Sequence, residues 1–514
     1  MNRRHFLKLS GTCAAALCLG VPDRLQAAFP AGNTYPRMVA SVLLDGGPDF
    51  RFLFVPKPVA SGWSGSYAES FWAARLSLYD TSAIGGYDAM TDQEKAAAVY
   101  AAYYDEVTLS SQTFGVLNFT QSVDGITYTF DCGWLKAQIE AGNVAIVNNV
   151  VGSTNRDHHH SMMMLESGDV NVGPHDAGVS GWGGRAAARL GEKAVSLARN
   201  VRMICNGPHP SDPMDHENSC VISAPDTRNI SLYDHGTAEL IANNDESYRW
   251  DPSRIVGRAL ESYYAAKSPE VVSGSPFRRF FDHEASIRNF GSQVNAVLAD
   301  VTMPTVLNYR LTGTLDGYIG SDHSRSTDSD YFARQVSGLY DAMACRNILQ
   351  MRFASLEYPG WDSHKWQQEF IGPKLAYLFG TDKTLHSWYT HTEAAASGST
   401  DSMVFVIAGE FGRQLKANGS DGTDHGRGNS VILIGNDVVG GVYGTMFPES
   451  ENTYDGTLGA KPLETANTDI TGLTSMRRVF HRVLEWQSAG LGDAVFGDVS
   501  GEASETDISG LLSV

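Results

Sequence analysis

An α/β fold, with a central mixed sheet flanked by helices, is what this sequence predicts, and three observations carry the prediction. Apolar runs suited to strands buried on both faces recur along the chain, several of them end in turns bearing acidic residues or histidine, and segments of helical periodicity lie between them. Strand ends of that kind mark the carboxyl edge of an open sheet, where α/β proteins build their sites. The first strand is Met38 to Leu44, closed by Asp45-Gly46-Gly47-Pro48-Asp49, whose glycines permit a sharp turn. A helix is expected from Thr91 to Leu109. Val144 to Val151 forms the next strand and gives way to Gly152-Ser153 and a polar cluster through Ser161. The stretch at about 200–330 is less regular, with helical pieces such as Ile255 to Lys267, and reads as a large insertion or cap. A helix from roughly Tyr331 to Leu356 follows, with Val336, Leu339, Tyr340 and Met343 on its apolar stripe. Strands over Ser402 to Ala408 and Ser430 to Gly435 come next, the first ending in Gly409-Glu410-Phe411-Gly412-Arg413. The last helix, Met476 to Gln487, takes Thr474 or Ser475 as its cap. With no repeats and no long linker, the chain reads as one domain over 36–500 with a carboxyl tail at 501–514.

The 514 residues are 42% hydrophobic and 19% charged, enough for a large core and unlike a disordered or polytopic membrane chain. A formal charge of -19 without a basic patch argues against nucleic-acid partners, while a metal or a few arginines can still hold an anion in one pocket. Arg3-Arg4, a short apolar run from Leu9 to Leu19 and small residues at Ala27-Ala28 resemble a twin-arginine export signal over 1–27. The expected partner is the twin-arginine machinery, the destination the periplasm or the exterior, and no transmembrane span is expected in the mature chain. Cys205 and Cys220 bracket a loop rich in Pro, His and Asp and are expected to form a disulfide, the alternative being a metal cluster of His209, Asp212, Asp215 and His216.

Four clusters carry chemistry. Asp45 follows a buried strand, where a carboxylate needs donors or a cation to offset desolvation. Arg156-Asp157-His158-His159-His160-Ser161 opens a helix whose first turn favours an anion. Asp362 and His364 are one residue apart, so both can leave an extended segment on one face. Glu410 and the pair Asp424-His425, beside Gly426, complete a mixed carboxylate and imidazole set. Such ligation suits Zn, Mn or Fe, and with fewer histidines Mg or Ca.

Leu44-Asp45-Gly46-Gly47-Pro48, Arg156-Asp157-His158, Leu165-Glu166-Ser167-Gly168, Gly181-Trp182-Gly183-Gly184-Arg185, Gly360-Trp361-Asp362-Ser363-His364, and Glu410-Phe411-Gly412-Arg413 followed by Asp424-His425 together resemble the family called domain of unknown function 1501, within the alkaline-phosphatase-like and sulfatase-like superfamily. The resemblance implies an alkaline-phosphatase-like mixed sheet and a divalent metal held by Asp45, Asp362, His364, Glu410, Asp424 and His425. It also implies a nucleophile near Arg156, Asp157 and His158, where many relatives have Ser and this chain has Asp157. No sulfatase-type Cys-x-Pro-x-Arg segment is present. Ser161, or Ser153 or Thr154, is an alternative nucleophile, and a metal-activated water needs none of them. The function expected is periplasmic, metal-dependent hydrolysis of a phosphate or sulfate ester, on an anionic ester or glycan substrate, with Arg156 or Arg185 on the anion. The alternative is an exported, non-catalytic binding or scaffold protein that keeps a structural metal. A general carbohydrate-binding module has little support, because a core can absorb the aromatic residues.

Overall fold

Seven residues in succession, Met38–Leu44, form strand β1 with every side chain buried. Their alternation feeds two cores: Met38, Ala40, Val42 and Leu44 enter one, and Val39 and Leu43 the other. The computed structural model describes residues 36–513 except 60, 124–125, 177, 199, 208–220, 224–289, 291–292, 295, 308–326, 396–402 and 449–471. The export signal and most of the expected insertion, including Ile255 to Lys267, therefore lie outside the described residues.

A small antiparallel sheet joins Phe54–Pro56 (β2), Tyr104–Leu109 (β3), Gln112–Val123 (β4) and Ile126–Asp131 (β5). The main sheet adds Val144–Val151 (β6), Lys193–Ser196 (β7), Val221–Ser223 (β8), Met351–Tyr358 (β9) and Met403–Gly409 (β10). A short hairpin, Arg413–Ala417 (β11) with Thr423–His425 (β12), precedes Gly428–Ile434 (β13), Gly441–Tyr443 (β14) and Thr474–Ser475 (β15). The nine-stranded order is β14-β6-β13-β10-β1-β9-β7-β8, with β15 also pairing β6. Strand β1 runs parallel to both neighbours, β9 and β10, whereas β13 is antiparallel to β10 and to β6. Two reversals return β6 to the direction of β1, so β1, β6, β9 and β10 all end at one edge. The register makes those ends level: Leu44 lies opposite Tyr358 and Gly409, and Val151 opposite Gly428, where β13 begins. The observed architecture is thus a mixed α/β fold with several sheets and flanking helices.

Helices cover both faces. Tyr67–Arg75 (α1), Asp92–Tyr103 (α2), Gly133–Glu140 (α3), Thr327–Ala344 (α6), Gln367–Phe379 (α7) and Thr384–Ala395 (α8) contribute to the first core. The second is built by His158–Ser167 (α4), Trp182–Leu190 (α5), Met476–Gln487 (α9) and Leu491–Phe496 (α10). Residues 501–513, read from sequence as a tail, pack against this second layer through Ile508, Leu511 and Leu512.

Several expectations need correction. The helix expected over Thr91 to Leu109 ends at Tyr103 and continues as β3; its start is a capping box between Thr91 and Glu94. The helix expected through Leu356 ends at Ala344, and Gln350 turns the chain at φ 49° into β9, a strand beside the centre of the sheet. Ser475 is the N-cap of α9, but its hydroxyl makes no cap bond and is donated to Glu502 instead. The expected disulfide is absent: Cys205 is a free thiol, fully buried in the second core with Trp182 and Phe353. Burial pushes that thiol well above its ordinary range. Cys132 is likewise buried and free, Cys345 is buried, and Cys220, His209, Asp212, Asp215 and His216 lie outside the described residues. Among the described residues, no helix is long and apolar enough to cross a membrane.

Candidate metal centre

The turn after β1 is shaped by what it must clear. Gly46 has φ 119°, and a Cβ there would stand 2.4 Å from the backbone nitrogen of Asp362. Only glycine lets the turns after β1 and β9 touch, which they do through a hydrogen bond from the Trp361 N–H to the Asp45 carbonyl (3.0 Å). The Gly46 N–H donates to Glu410 Oε1 (2.8 Å), tying in the turn after β10. Arg413, 1% exposed, fastens the rest: Nε donates to the Gly47 carbonyl (2.8 Å), Nη1 to that of Thr423 (3.0 Å), and Nη2 to Gly46, Trp361 (3.1 Å) and Asp362 Oδ1 (2.6 Å). One guanidinium thus joins three turns.

Into this frame project three ligand-type atoms. Asp362 Oδ1 lies 3.2 Å from His364 Nε2 and 3.1 Å from His425 Nε2, and the two imidazole nitrogens are 2.9 Å apart. The far nitrogen of each ring faces an acceptor: His364 Nδ1 meets Asp424 Oδ1 (3.0 Å), and His425 Nδ1 meets the Arg156 carbonyl (3.0 Å). Opposite a carboxylate or a carbonyl only a donor fits, so each Nδ1 carries hydrogen, and Nε2 faces Asp362 with a lone pair when the ring is neutral and with an N–H when it is protonated. Three lone pairs converging at these separations repel one another unless a proton or a cation lies between them. A tetrahedral Zn site with bonds of about 2.0–2.1 Å sets neighbouring ligand atoms about 3.3 Å apart, close to the spacings seen.

A second group lies alongside. Asp45, His158 and Glu410 each offer an atom within 4.8 Å of the others, and so do His158, Asp362 and His425. His158 joins the two groups: Nδ1 is 3.0 Å from Glu410 Oε1 and Nε2 is 3.7 Å from Asp362 Oδ2. Glu410 is fully buried, and its Oε2 has no hydrogen-bond partner. An orphaned buried carboxylate oxygen beside Asp45 and His158 fits the donor set of a cation site.

The charges follow. Burial would raise the Asp362 carboxyl, but hydrogen bonds from His425 and Arg413, with the Arg413 charge, hold it well below the usual carboxylate range. Burial also opposes ionisation of Asp424, and hydrogen bonds from Asn418 and His364 outweigh it. Glu410 moves the other way, raised by burial despite the His158 hydrogen bond. His158 is raised chiefly by its hydrogen bond to Glu410, against the effect of burial. In metal-free protein the His158 ring should therefore titrate above the ordinary histidine value, and saturating zinc should lower that midpoint by competing with the proton. Nitrogen-detected NMR over a pH series reads both states; a His158 midpoint indifferent to zinc would remove it from the cation site. By linkage, this raised pKa adds stability that is complete below the unfolded-state value and is lost as pH rises through the folded-state value.

The remaining candidates occupy other roles. Asp157 is the N-cap of α4 and accepts from the His160 N–H (2.8 Å). Ser161 is fully buried, its hydroxyl 2.6 Å from that of Ser153. Arg156 contributes its carbonyl, aimed at His425 by a left-handed backbone (φ 65°). Arg185 donates to the carbonyls of Ser180 and Ser167 (2.8 Å for the latter), in the support of α4. Asp424 pairs with His364, so it orients that ring and does not join the converging atoms. Residues that sequence reasoning did not assign include Arg413, present in a quoted motif, and Asn418, which donates to the His364 carbonyl (2.9 Å) and Asp424 Oδ1 (3.1 Å). Arg202 bridges Glu166 (2.8 Å) and Glu357 (2.7 Å), fixing α4 against the end of β9. A third potential cluster, His481, Glu485 and Asp493, lies on α9 and α10, where Glu485 caps the Gly490 and Asp493 N–H groups.

Residues 321–463 match the protein family described as Protein of unknown function (DUF1501). The matched stretch contains Asp362, His364, Glu410, Asp424 and His425; Asp45 and His158 precede it. No curated protein matches the chain.

Proposed function

We propose that this chain is a metal-dependent hydrolase of a phosphate or sulfate ester, related to the alkaline-phosphatase-like enzymes and exported to the periplasm. The observation that carries the reading is the convergence of Asp362 Oδ1, His364 Nε2 and His425 Nε2 within 2.9–3.2 Å, each ring fixed from behind by an acceptor. Two imidazoles and a carboxylate favour Zn or Mn; the acidic group around Asp45 and Glu410 also suits Mg or Ca. A cation bound there would polarise a nonbridging ester oxygen and lower the pKa of an attacking water. Asp362 and His364 are each 43% exposed, an open arrangement that suits catalysis better than a closed structural site.

The chain's own residues divide the remaining work. Arg413 keeps Asp362 ionised and the turns in register. Asp424 and the Arg156 carbonyl hold the rings of His364 and His425. His158, hydrogen-bonded to Glu410 and facing Asp362, would join the two groups as a cation ligand. The burial of Ser161 and the capping role of Asp157 favour water over a seryl nucleophile, and they also lend weight to a non-catalytic scaffold that keeps the metal. Export rests on Arg3-Arg4 and the apolar run behind them.

Metal analysis of the purified full chain, with turnover on phosphate monoesters, phosphate diesters and sulfate esters before and after chelation, tests the proposal. At least one bound divalent cation and one chelator-sensitive ester are expected. Bound metal without turnover on any ester would favour the scaffold.

A further inference from the structure

The large hydrophobic side chains left exposed include two aromatic ones, Trp366 (53% exposed) and Phe370 (38%), and they are neighbours. Their rings stack at 6.1 Å between centroids and 18° between planes. Trp366 follows His364 by two positions and caps the amino end of α7 in a left-handed conformation, φ 49° and ψ 54°. For a bulky side chain that conformation is costly, and glycine or asparagine would adopt it readily. The segment is nevertheless firmly held. The Trp366 N–H donates to the Ser420 carbonyl (3.2 Å) and the Gln367 N–H to that of Asp421 (2.7 Å). Gly422 packs against the His364 backbone, where a Cβ would come within 2.3 Å. The fold thus keeps a strained, half-exposed indole on rigid backbone at the rim of the metal centre, although burying that ring contributes little to the core.

We propose that Trp366, stacked on Phe370, is a carbohydrate subsite that receives the sugar ring of the ester, a reading that rests on the hydrolase function and names its substrate class. A pyranose presents a C–H face that lies on an indole and a rim of hydroxyls that seeks charged and polar partners. The surroundings supply that combination: Lys365, Glu369, Ser420 and Asp421 are all exposed, and the latter two are on the loop hydrogen-bonded to the Trp366–Gln367 backbone. A lipid or a flat aromatic group would instead call for apolar walls. Trp366 follows His364 by only two positions, so a sugar on the platform would share its segment with a ligand of the proposed cation.

Saturation-transfer NMR on the zinc-loaded full chain, with glucose 6-phosphate, glucose 6-sulfate and neutral cellohexaose as probes, reads binding without requiring turnover. Saturation of the sugar ring protons is expected. Trp366→Ala should weaken binding by about tenfold or more, while Trp366→Phe stays within about threefold of wild type, with metal content unchanged in both. Trp366→Gly should lose binding and raise Tm, since it relieves the left-handed backbone. No ring-proton saturation with any probe, or affinity unchanged in Trp366→Ala, would overturn the subsite. So would self-association of the wild type abolished by Trp366→Ala, which would assign the rings to a second copy of the chain. Trp366-dependent binding without ester hydrolysis would keep the subsite and remove the hydrolase; hydrolysis indifferent to Trp366 would do the reverse.

Discussion

Replacing Asp362 with alanine should strip the cation from the protein and lower ester hydrolysis about a thousandfold, the equivalent of about 4 kcal/mol in the barrier. No other position among the candidates touches so many partners: Oδ1 meets His364, His425 and Arg413, and Oδ2 faces His158. Alanine leaves the two histidine lone pairs facing each other without the carboxylate that completes the set. Because Asp362 is at a strand end and nearly half exposed, the sheet should survive, with far-UV circular dichroism unchanged. Asp362→Asn separates charge from shape, keeping an oxygen for Arg413 while losing the anion. It should bind metal poorly even where its fold is fully retained. Metal content and turnover measured on the same preparation check both variants. Wild-type turnover in Asp362→Ala would trace the activity to a contaminant or to chemistry outside this cluster.

The second large effect concerns folding. Arg413→Met should cost about 3–5 kcal/mol of stability, because a buried charge and its hydrogen bonds are lost together from one position. Its five bonds reach the carbonyls of Gly46, Gly47, Trp361 and Thr423 and the Asp362 carboxylate. Methionine fills most of the space and satisfies none of them. Lysine retains the charge but has one nitrogen where the guanidinium spreads three, so Arg413→Lys should still lose about 2 kcal/mol. Urea unfolding with chelator present isolates this from metal binding, and an unchanged m-value would license the comparison. A loss below about 1 kcal/mol in Arg413→Met would show that the turns hold their positions without it.

The sheet edge was legible because β1, β6, β10 and β13 are short apolar runs, the first three stopped by glycine and polar residues. Strand β9 was not: the apolar residues of α6 continue through Leu349 into Met351–Tyr358 with no glycine or proline between them. The chain breaks at Cys345 and again at Gln350, whose left-handed conformation its residue type does not announce. Convergence of Asp45, Asp362, His364, Glu410 and His425 at one edge was foreseeable from strand ends, whereas the pairing of Asp424 with His364 depends on how the β11–β12 hairpin folds back. Cysteine spacing misled in the case of Cys205, since a buried thiol and a bridged one look alike in sequence. Arg413 and Trp366 each reverse the usual preference of their type, one a charge at the centre and the other an indole at the surface.

The level ends of β1, β6, β9 and β10 have a consequence in time. The converging groups come from positions as far apart as Asp45 and His425, on strands that become neighbours only when distant parts of the chain have paired. A partly synthesised chain that stops before β12 has neither His425 nor the hairpin that carries it. Contacts this remote in sequence form late, after the entropy of closing long loops has been overcome. No nascent fragment that stops short of His425 can complete this geometry, so under the proposed function metal acquisition would be a late event. An ion held there would then be chosen by whichever compartment completes folding, according to the free metals it offers at that moment.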